Sequence, residues 1–214
     1  MTRAKEIFEN RGMSGLIDTL VTVLVVGVFP AAILFAVYKF WNSGRVRIRN
    51  PKLGVLNLGG GEFAAIVTED RAAFGSLFEA VIVSDDGKVP HCDVLFVYAR
   101  LEPDGSLSGA AEPTIRHATA RAHCSIAVSA CNNPTDRVVA ASKLQGPKDA
   151  SLVLTLDRKG DGFPRFFKEL FTLMKSGKTM PAAWVKLAPQ HTNVMPQHTP
   201  ETIFLPEGKF VAFK

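Results

Sequence analysis

The chain has 214 residues, three cysteines and a formal net charge of +5. An odd cysteine count excludes a fully paired disulfide framework. The whole charge excess lies in residues 1–52, whereas residues 53–214 hold 17 basic and 17 acidic side chains, so nothing indicates a nucleic-acid partner.

The first predicted element is a membrane-spanning helix. Thr19–Tyr38 is a run of 20 residues without a charge. As a helix it is about 30 Å long, which matches the hydrocarbon core of a bilayer. The run exceeds the about 7–15 apolar residues of a signal peptide, and aromatic and basic residues follow it up to Trp41. We therefore predict a tail over residues 1–18 and an uncleaved transmembrane helix over residues 19–41.

Basic residues on the two sides of the span predict its orientation. Five Lys or Arg follow it within residues 39–52, against three before it. Because cytoplasmic flanks carry the excess of cations, we expect a single-pass protein of the cell membrane whose C-terminal domain is cytoplasmic. Free cysteines agree with a reducing compartment. The basic linker over residues 42–53, with Arg45, Arg47 and Arg49, either enforces this topology or attracts anionic membrane lipid.

Residues 54–214 are predicted to form one α/β domain. Apolar runs indicate strands at Gly54–Leu58, Phe63–Thr68, Ala80–Val83, Val94–Tyr98, Cys124–Ala130 and Ser151–Leu156. Helical spacing indicates helices at Arg71–Glu79, Thr114–Ala122, Asp136–Leu144 and Pro164–Ser176. This alternation, with several strands apolar throughout, favours a mostly parallel sheet in a three-layer sandwich. The tail Glu201–Lys214 reads as two short strands in a hairpin at one edge.

A candidate nucleophile follows one of these strands. An apolar strand ends in Ser129-Ala130-Cys131. Nucleophiles and ligands gather at the carboxyl ends of strands in doubly wound sheets, which makes Cys131 a candidate catalytic residue. A catalytic thiol also needs a base, usually a histidine, to form the thiolate.

Here the chain resembles the caspase-like peptidase fold, in particular its CHAT branch, over about residues 90–188. In that family a strand ends in Ser-Ala-Cys, and a later strand is followed by a helix, a Lys/Gly turn and a second helix, which Phe166–Trp184 resembles. The resemblance implies a cysteine peptidase or hydrolase that uses Cys131. The family also has a catalytic His-Gly pair after the preceding core strand, where this chain has Ala99 and Arg100. The implied dyad is therefore incomplete.

Polar residues after several strands are candidates for lining a crevice at the carboxyl edge of the sheet. They are Arg100, Glu102, Asn132, Asn133, Asp157 and Arg158. Solvated loop charge is the alternative interpretation. No His or Cys pair has the spacing of a zinc site, and Gly59-Gly60-Gly61 fits neither nucleotide fingerprint, so we expect neither a metal nor a cofactor.

Three classes of function stay open. The first is a membrane-tethered, non-catalytic binding or signalling module that senses a ligand or partner at the carboxyl edge of its sheet. The second is a cysteine hydrolase acting through Cys131. The third is a structural subunit whose span packs against a protein partner or a second copy in a membrane assembly. The incomplete catalytic set favours the first class.

Overall fold

A computed structural model describes residues 44–194 and 197–214 of the chain. In that part, strands and helices alternate. The strands are β1 (Arg45–Ile48), β2 (Lys52–Asn57), β3 (Ala80–Ser84), β4 (Val94–Tyr98), β5 (Ile126–Ser129), β6 (Ser151–Asp157), β7 (Glu201–Leu205) and β8 (Phe210–Phe213). The helices are α1 (Ala64–Phe74), α2 (Ile115–Ala122), α3 (Thr135–Lys143), α4 (Gly162–Lys175) and α5 (Met180–Val194).

Six strands form the main sheet in the order β3-β2-β4-β5-β6-β7. Neighbouring strands from β3 to β6 are parallel, and β7 runs antiparallel to β6. The prediction of an α/β fold with a mostly parallel sheet is confirmed. From β2 the chain moves outward to β3 and then returns past β2 to β4. The carboxyl ends of β2 and β4 therefore form a topological switch point, where open parallel sheets bind ligands.

The central strand β4 faces two separate cores. Val94, Phe96 and Tyr98 pack in a cluster with α1, α4 and α5, whereas Leu95 and Val97 pack in a second cluster with α2 and α3. All five side chains are buried. Because successive side chains of a strand point to opposite faces, helices cover both sides of the sheet.

Helix α4 supplies much of the first core, which we call the α4-side core, through its phenylalanines. Phe163, Phe167 and Phe171 recur at every fourth position and are all fully buried. Their rings surround Phe96 of β4 at centroid distances of 6.3, 5.2 and 6.1 Å, all edge-on. Full burial of one such side chain stabilises the fold by about 1.5–3 kcal/mol, so this contact holds α4 firmly on the sheet.

The prediction of a strand over Phe63–Thr68 is wrong. Helix α1 begins at Ala64 and continues to Phe74, followed by a short 3-10 turn over Gly75–Leu77. The apolar run suits either structure locally, but Phe63, Val67 and Phe74 are buried in the α4-side core. Only a helix places these positions on one face, so tertiary packing decides between the two.

The two short strands predicted within Glu201–Lys214 are confirmed, but their pairing as a hairpin is wrong. β7 joins the main sheet beside β6, and β8 instead pairs in parallel with β1. The segment between them is tied down elsewhere: the Glu207 carboxylate pairs with Arg116 of α2, and its carbonyl accepts a hydrogen bond from Ser151. These contacts direct β8 away from β7.

The N-terminal predictions have separate outcomes. The transmembrane helix predicted over residues 19–41 lies outside the described residues. Within residues 44–194 and 197–214, no helix combines the length and the apolarity needed to cross a bilayer. The segment 42–53, expected to be a linker, contains β1 and the start of β2.

Candidate functional site

A cleft of about 470 Å³ opens at the carboxyl edge of the main sheet, beside the amino end of α1. Its lining residues are Glu62, Phe63, Ile66, Arg100, Cys131, Asn132, Asn133, Pro134, Arg137 and Arg158. They follow β4, β5 or β6, or lie just before or in the first turn of α1, so the cleft adjoins the switch point between β2 and β4. Its volume lies within the range of about 300–1,000 Å³ that small-molecule sites occupy.

Most site residues predicted from the sequence meet in this cleft. They are Arg100, Cys131, Asn132, Asn133 and Arg158. Glu102 does not line it and begins a tight turn, in which its amide donates to the carbonyl of Ser106 at 2.9 Å. Asp157 does not line it either, because its carboxylate pairs with Lys159 at 2.9 Å, and Lys159 also pairs with Glu201 of β7.

Arg158, one of the lining residues, forms a buried ion pair with Asp70. Nη2 of Arg158 donates to Oδ1 of Asp70 at 2.7 Å, and Nη1 donates to Oδ2 at 3.0 Å. Asp70 is fully buried and Arg158 is only 5% exposed. This two-point geometry is the one that best offsets the cost of taking two charges out of water.

Other groups complete the hydrogen bonding of this pair. The Tyr98 hydroxyl donates to Asp70 at 2.7 Å, and Arg158 donates to the carbonyl of Ala130 at 2.7 Å while stacking 4.0 Å from the ring centre of Phe163. Burial raises the pKa of Asp70, and the hydrogen bonds from Arg158 and Tyr98 oppose that rise. Burial, with the Asp70 charge, also raises the pKa of Tyr98. Arg158 is thus fixed by internal partners.

Two more arginines line the cleft in more open positions. Arg100 pairs through Nε and Nη2 with the carboxylate of Glu62, and both side chains are exposed. Arg137 is half-buried, and its Nη1 donates to the carbonyl of Leu101 at 2.6 Å. Among the residues that the structure describes, no carboxylate pairs with Arg137. The lining therefore carries three cations and one anion.

The two asparagines hold the strand ends together. Oδ1 of Asn133 accepts from the amide of Leu101 at 2.8 Å, and its Nδ2 donates to the carbonyl of Cys131 at 3.0 Å. Oδ1 of Asn132 accepts from the amide of Arg158 at 2.8 Å. These bonds link the segments after β4, β5 and β6, so the asparagines fix the shape of the cleft.

Cys131 lies at the cleft in an environment that disfavours its thiolate. The residue is 2% exposed, and burial raises the pKa of its thiol to about 12 despite the nearby Arg158 cation. His91 and His123, whose rings stack 5.2 Å apart, precede β4 and β5 and so lie at the opposite edge of the sheet. Among the side chains described, no histidine is hydrogen-bonded to Cys131.

Sequence reasoning missed Asp70 and Arg137. Asp70 lies on the buried face of α1 with Val67 and Phe74, and an acid at such spacing signals a buried partner. Because Phe63–Thr68 was predicted to be a strand, the helical spacing of Asp70 with Val67 and Phe74 was not recognised. Arg137 lies in the first turn of α3, where a cation opposes the helix dipole. A residue that breaks a local rule in this way is a signal of function.

Comparison with known proteins adds no assignment. No protein-family model matches the chain, and a search of curated proteins found no significant match. In the part of the chain that the structure describes, no cluster of three His, Cys, Asp or Glu side chains is placed to hold a metal ion. The function therefore has to be inferred from the cleft.

Proposed function

We propose that this chain is a single-pass membrane protein whose cytoplasmic α/β domain is a non-catalytic binding or signalling module for an anionic group. In this proposal a transmembrane helix over residues 19–41 precedes a three-layer domain. The observation that carries the proposal is the convergence of Arg100, Arg137 and Arg158 on one cleft, where Glu62 is the sole carboxylate among the described lining residues. The position of the cleft at the switch point supports the same conclusion.

The unbalanced charge is located at Arg137. Asp70 neutralises Arg158 in a buried pair, and Glu62 neutralises Arg100 in an exposed pair. The bond from Arg137 to the Leu101 carbonyl orients its guanidinium and occupies one of its five N–H donors. A planar guanidinium held in this way suits a carboxylate or phosphate, each of which it binds through two parallel hydrogen bonds.

The lining also indicates an apolar body on the ligand. Phe63, Ile66 and Pro134 contribute nonpolar surface beside the arginines. The exposed pair of Glu62 with Arg100 contributes little free energy, since such pairs are worth about 0–1 kcal/mol. An arriving anion therefore competes readily with Glu62 for Arg100. A small apolar molecule or side chain that carries one carboxylate or phosphate fits these features.

Thermal unfolding of the full chain in detergent tests this proposal. The probes are benzoate, phenyl phosphate and inorganic phosphate, because they separate the apolar body from the charge. We expect an aromatic anion to raise the melting temperature, because a ligand that binds only the folded state stabilises it. Arg137→Gln should reduce that shift. Arg121→Gln, an exposed substitution on α2, should keep it. No shift with any probe, or equal shifts in both variants, would contradict the proposal.

The cysteine-hydrolase alternative rests on the place of Cys131 in the cleft lining. A hydrolase requires an ionisable thiol and a base within hydrogen-bond reach. The low exposure and the raised pKa of Cys131 weigh against it. A Cys131→Ala chain that keeps full cellular activity would eliminate this alternative, and loss of activity with an unchanged melting temperature would favour it.

A further inference from the structure

The two-stranded sheet of β1 and β8 presents basic and aromatic side chains where the chain enters the described domain. Arg45 of β1 is in register with Phe210 of β8. Phe210 is 42% exposed. Arg47 and Lys209 are also exposed. We refer to Arg45, Arg47, Lys209 and Phe210 as the β1–β8 patch.

The fold requires the strand residues of this patch to point outward. Val46 and Ile48 of β1 pack against the α4-side core, in register with the buried Val211 and Phe213 of β8. Side chains alternate between the two faces along each strand, and residues in register share a face. Arg45, Arg47 and Phe210 therefore belong to the face opposite the core.

We propose that the β1–β8 patch docks on an anionic membrane surface, with Phe210 among the lipid headgroups and the cations against lipid phosphates. This inference rests on the anchor in the proposed function. Three residues lie between Trp41, the predicted end of the span, and Arg45, which makes four steps along the chain. At about 3.5 Å per residue they reach about 14 Å at most. In the proposed topology, this chain length keeps Arg45 within reach of the headgroup region.

The charge around both strands suits lipid phosphates. Residues 39–52 and 208–214 contain no Asp or Glu. They carry exposed cations at Arg49 and Lys214 in addition to those of the β1–β8 patch. Each cation near an anionic surface strengthens binding about fivefold, and aromatic side chains prefer the headgroup region. The patch therefore has both features of an interfacial contact.

The β1–β8 patch is separate from the anion cleft. β1 connects to the amino end of β2, whereas the cleft lies at the carboxyl edge of the same sheet. The two surfaces therefore belong to opposite ends of β2. The lipid contact and the anion cleft are separate sites that separate substitutions can test.

The test uses the full chain in nanodiscs of phosphatidylcholine, with or without phosphatidylserine. A thiol-reactive dye is attached at Phe210→Cys and, as the matched control, at Ile82→Cys, which is 38% exposed on β3. The three native cysteines are buried and react little. A quencher carried on lipid headgroups should quench the dye at 210 several-fold more than the dye at 82. Phosphatidylserine should increase that difference.

Charge variants supply the second arm. In the 210-labelled chain, Arg45→Gln with Arg47→Gln should remove most of the gain that phosphatidylserine gives. Arg71→Gln with Arg121→Gln, two exposed substitutions on α1 and α2, should preserve it. Hydrogen exchange is measured in the unsubstituted chain, so a folding defect of a variant cannot affect its result. The amides of β1 should exchange more slowly in phosphatidylserine nanodiscs.

The outcomes test docking of the β1–β8 patch and the presence of the membrane anchor separately. Equal quenching at 210 and 82, in chains that alkaline carbonate does not extract, would overturn docking and leave the anchor in place. Equal exchange of β1 in both lipids would overturn it as well. Release of the chain by carbonate would overturn the anchor itself, whatever anion the cleft binds in detergent.

Discussion

The burial of each paired arginine in the cleft decides whether its ion pair is structural or can exchange its partner. Arg158 and Arg100 each pair with a carboxylate, but the first pair is buried and the second is exposed to water. In a low-dielectric interior a lone charge costs several kcal/mol, whereas in water it costs almost nothing. The buried pair is therefore structural, and the exposed pair is free to exchange partners with a ligand.

This difference predicts unequal effects on stability. Asp70→Asn leaves the buried Arg158 cation without its carboxylate, so we expect the free energy of unfolding to fall by about 3–5 kcal/mol. Glu62→Gln removes the partner of the exposed Arg100 and should cost less than about 1 kcal/mol. Thermal unfolding of the full chain in detergent measures both. Similar losses in the two variants would show that burial does not separate these pairs.

The thiol of Cys131 gives a prediction with pH. Its pKa is raised to about 12, so below that pH the thiolate fraction grows about tenfold for each pH unit. The rate of labelling by iodoacetamide, followed by peptide mass, should therefore rise through pH 7, 8, 9 and 10 without levelling off. A catalytic thiol of depressed pKa would reach a plateau near neutral pH. Such a plateau would favour the hydrolase instead.

At the scale of elements, β2 depends on a glycine because neighbouring side chains press against it. A Cβ added at Gly54 would lie 2.5 Å from Sγ of Cys92 and 3.0 Å from Cγ of Pro90. Gly54→Ala should therefore destabilise the protein by about 1–3 kcal/mol. Cys92→Ala in the same chain should restore part of the loss. Gly61→Ala, where a Cβ would have no neighbour within 4 Å, is the matched control in thermal unfolding.

The elements that the sequence predicts well are those whose burial pattern is local. Val94–Tyr98 is apolar at every position because both of its faces are covered, and its predicted bounds match β4. The helix predicted over Pro164–Ser176 matches α4 within two residues because its phenylalanines recur at helical spacing. The strand predicted over Phe63–Thr68 was wrong because a short apolar run fits the period of a strand and that of a helix equally well. The two strands of the tail were predicted correctly, but their pairing was not, because the partner of β8 is 165 residues away in register.

The difference between local patterns and long-range contacts also applies to the candidate site. Arg100, Cys131 and Arg158 were predictable because each follows a strand, and parallel strands bring their carboxyl ends to one edge. The role of Asp70 was not predictable from its neighbours. It depends on a contact across 88 residues with Arg158. Sequence order thus indicates where a site lies, and long-range pairing decides which charges in it stay available.

At the scale of the whole molecule, the domain begins at β1 and not at β2. Residues 45–214 form one compact unit, and Val46 and Ile48 pack against its core. This places the boundary of the folded unit nine residues before the predicted start at Gly54. The distinction matters for function, because an early boundary leaves only three residues in the sequence between the predicted span and a folded strand.

Two fragments test this boundary. A fragment of residues 45–214 retains β1 and should unfold in one cooperative transition in urea. A fragment of residues 51–214 lacks β1, which leaves β8 unpaired and uncovers part of the core around Val211 and Phe213. Losing two half-buried aliphatic side chains and a strand pair should lower the free energy of unfolding by about 2–4 kcal/mol. Ile48→Ala in the longer fragment should give part of that loss. Equal urea midpoints would show that β1 is only a tether, and that the domain folds from β2 onward.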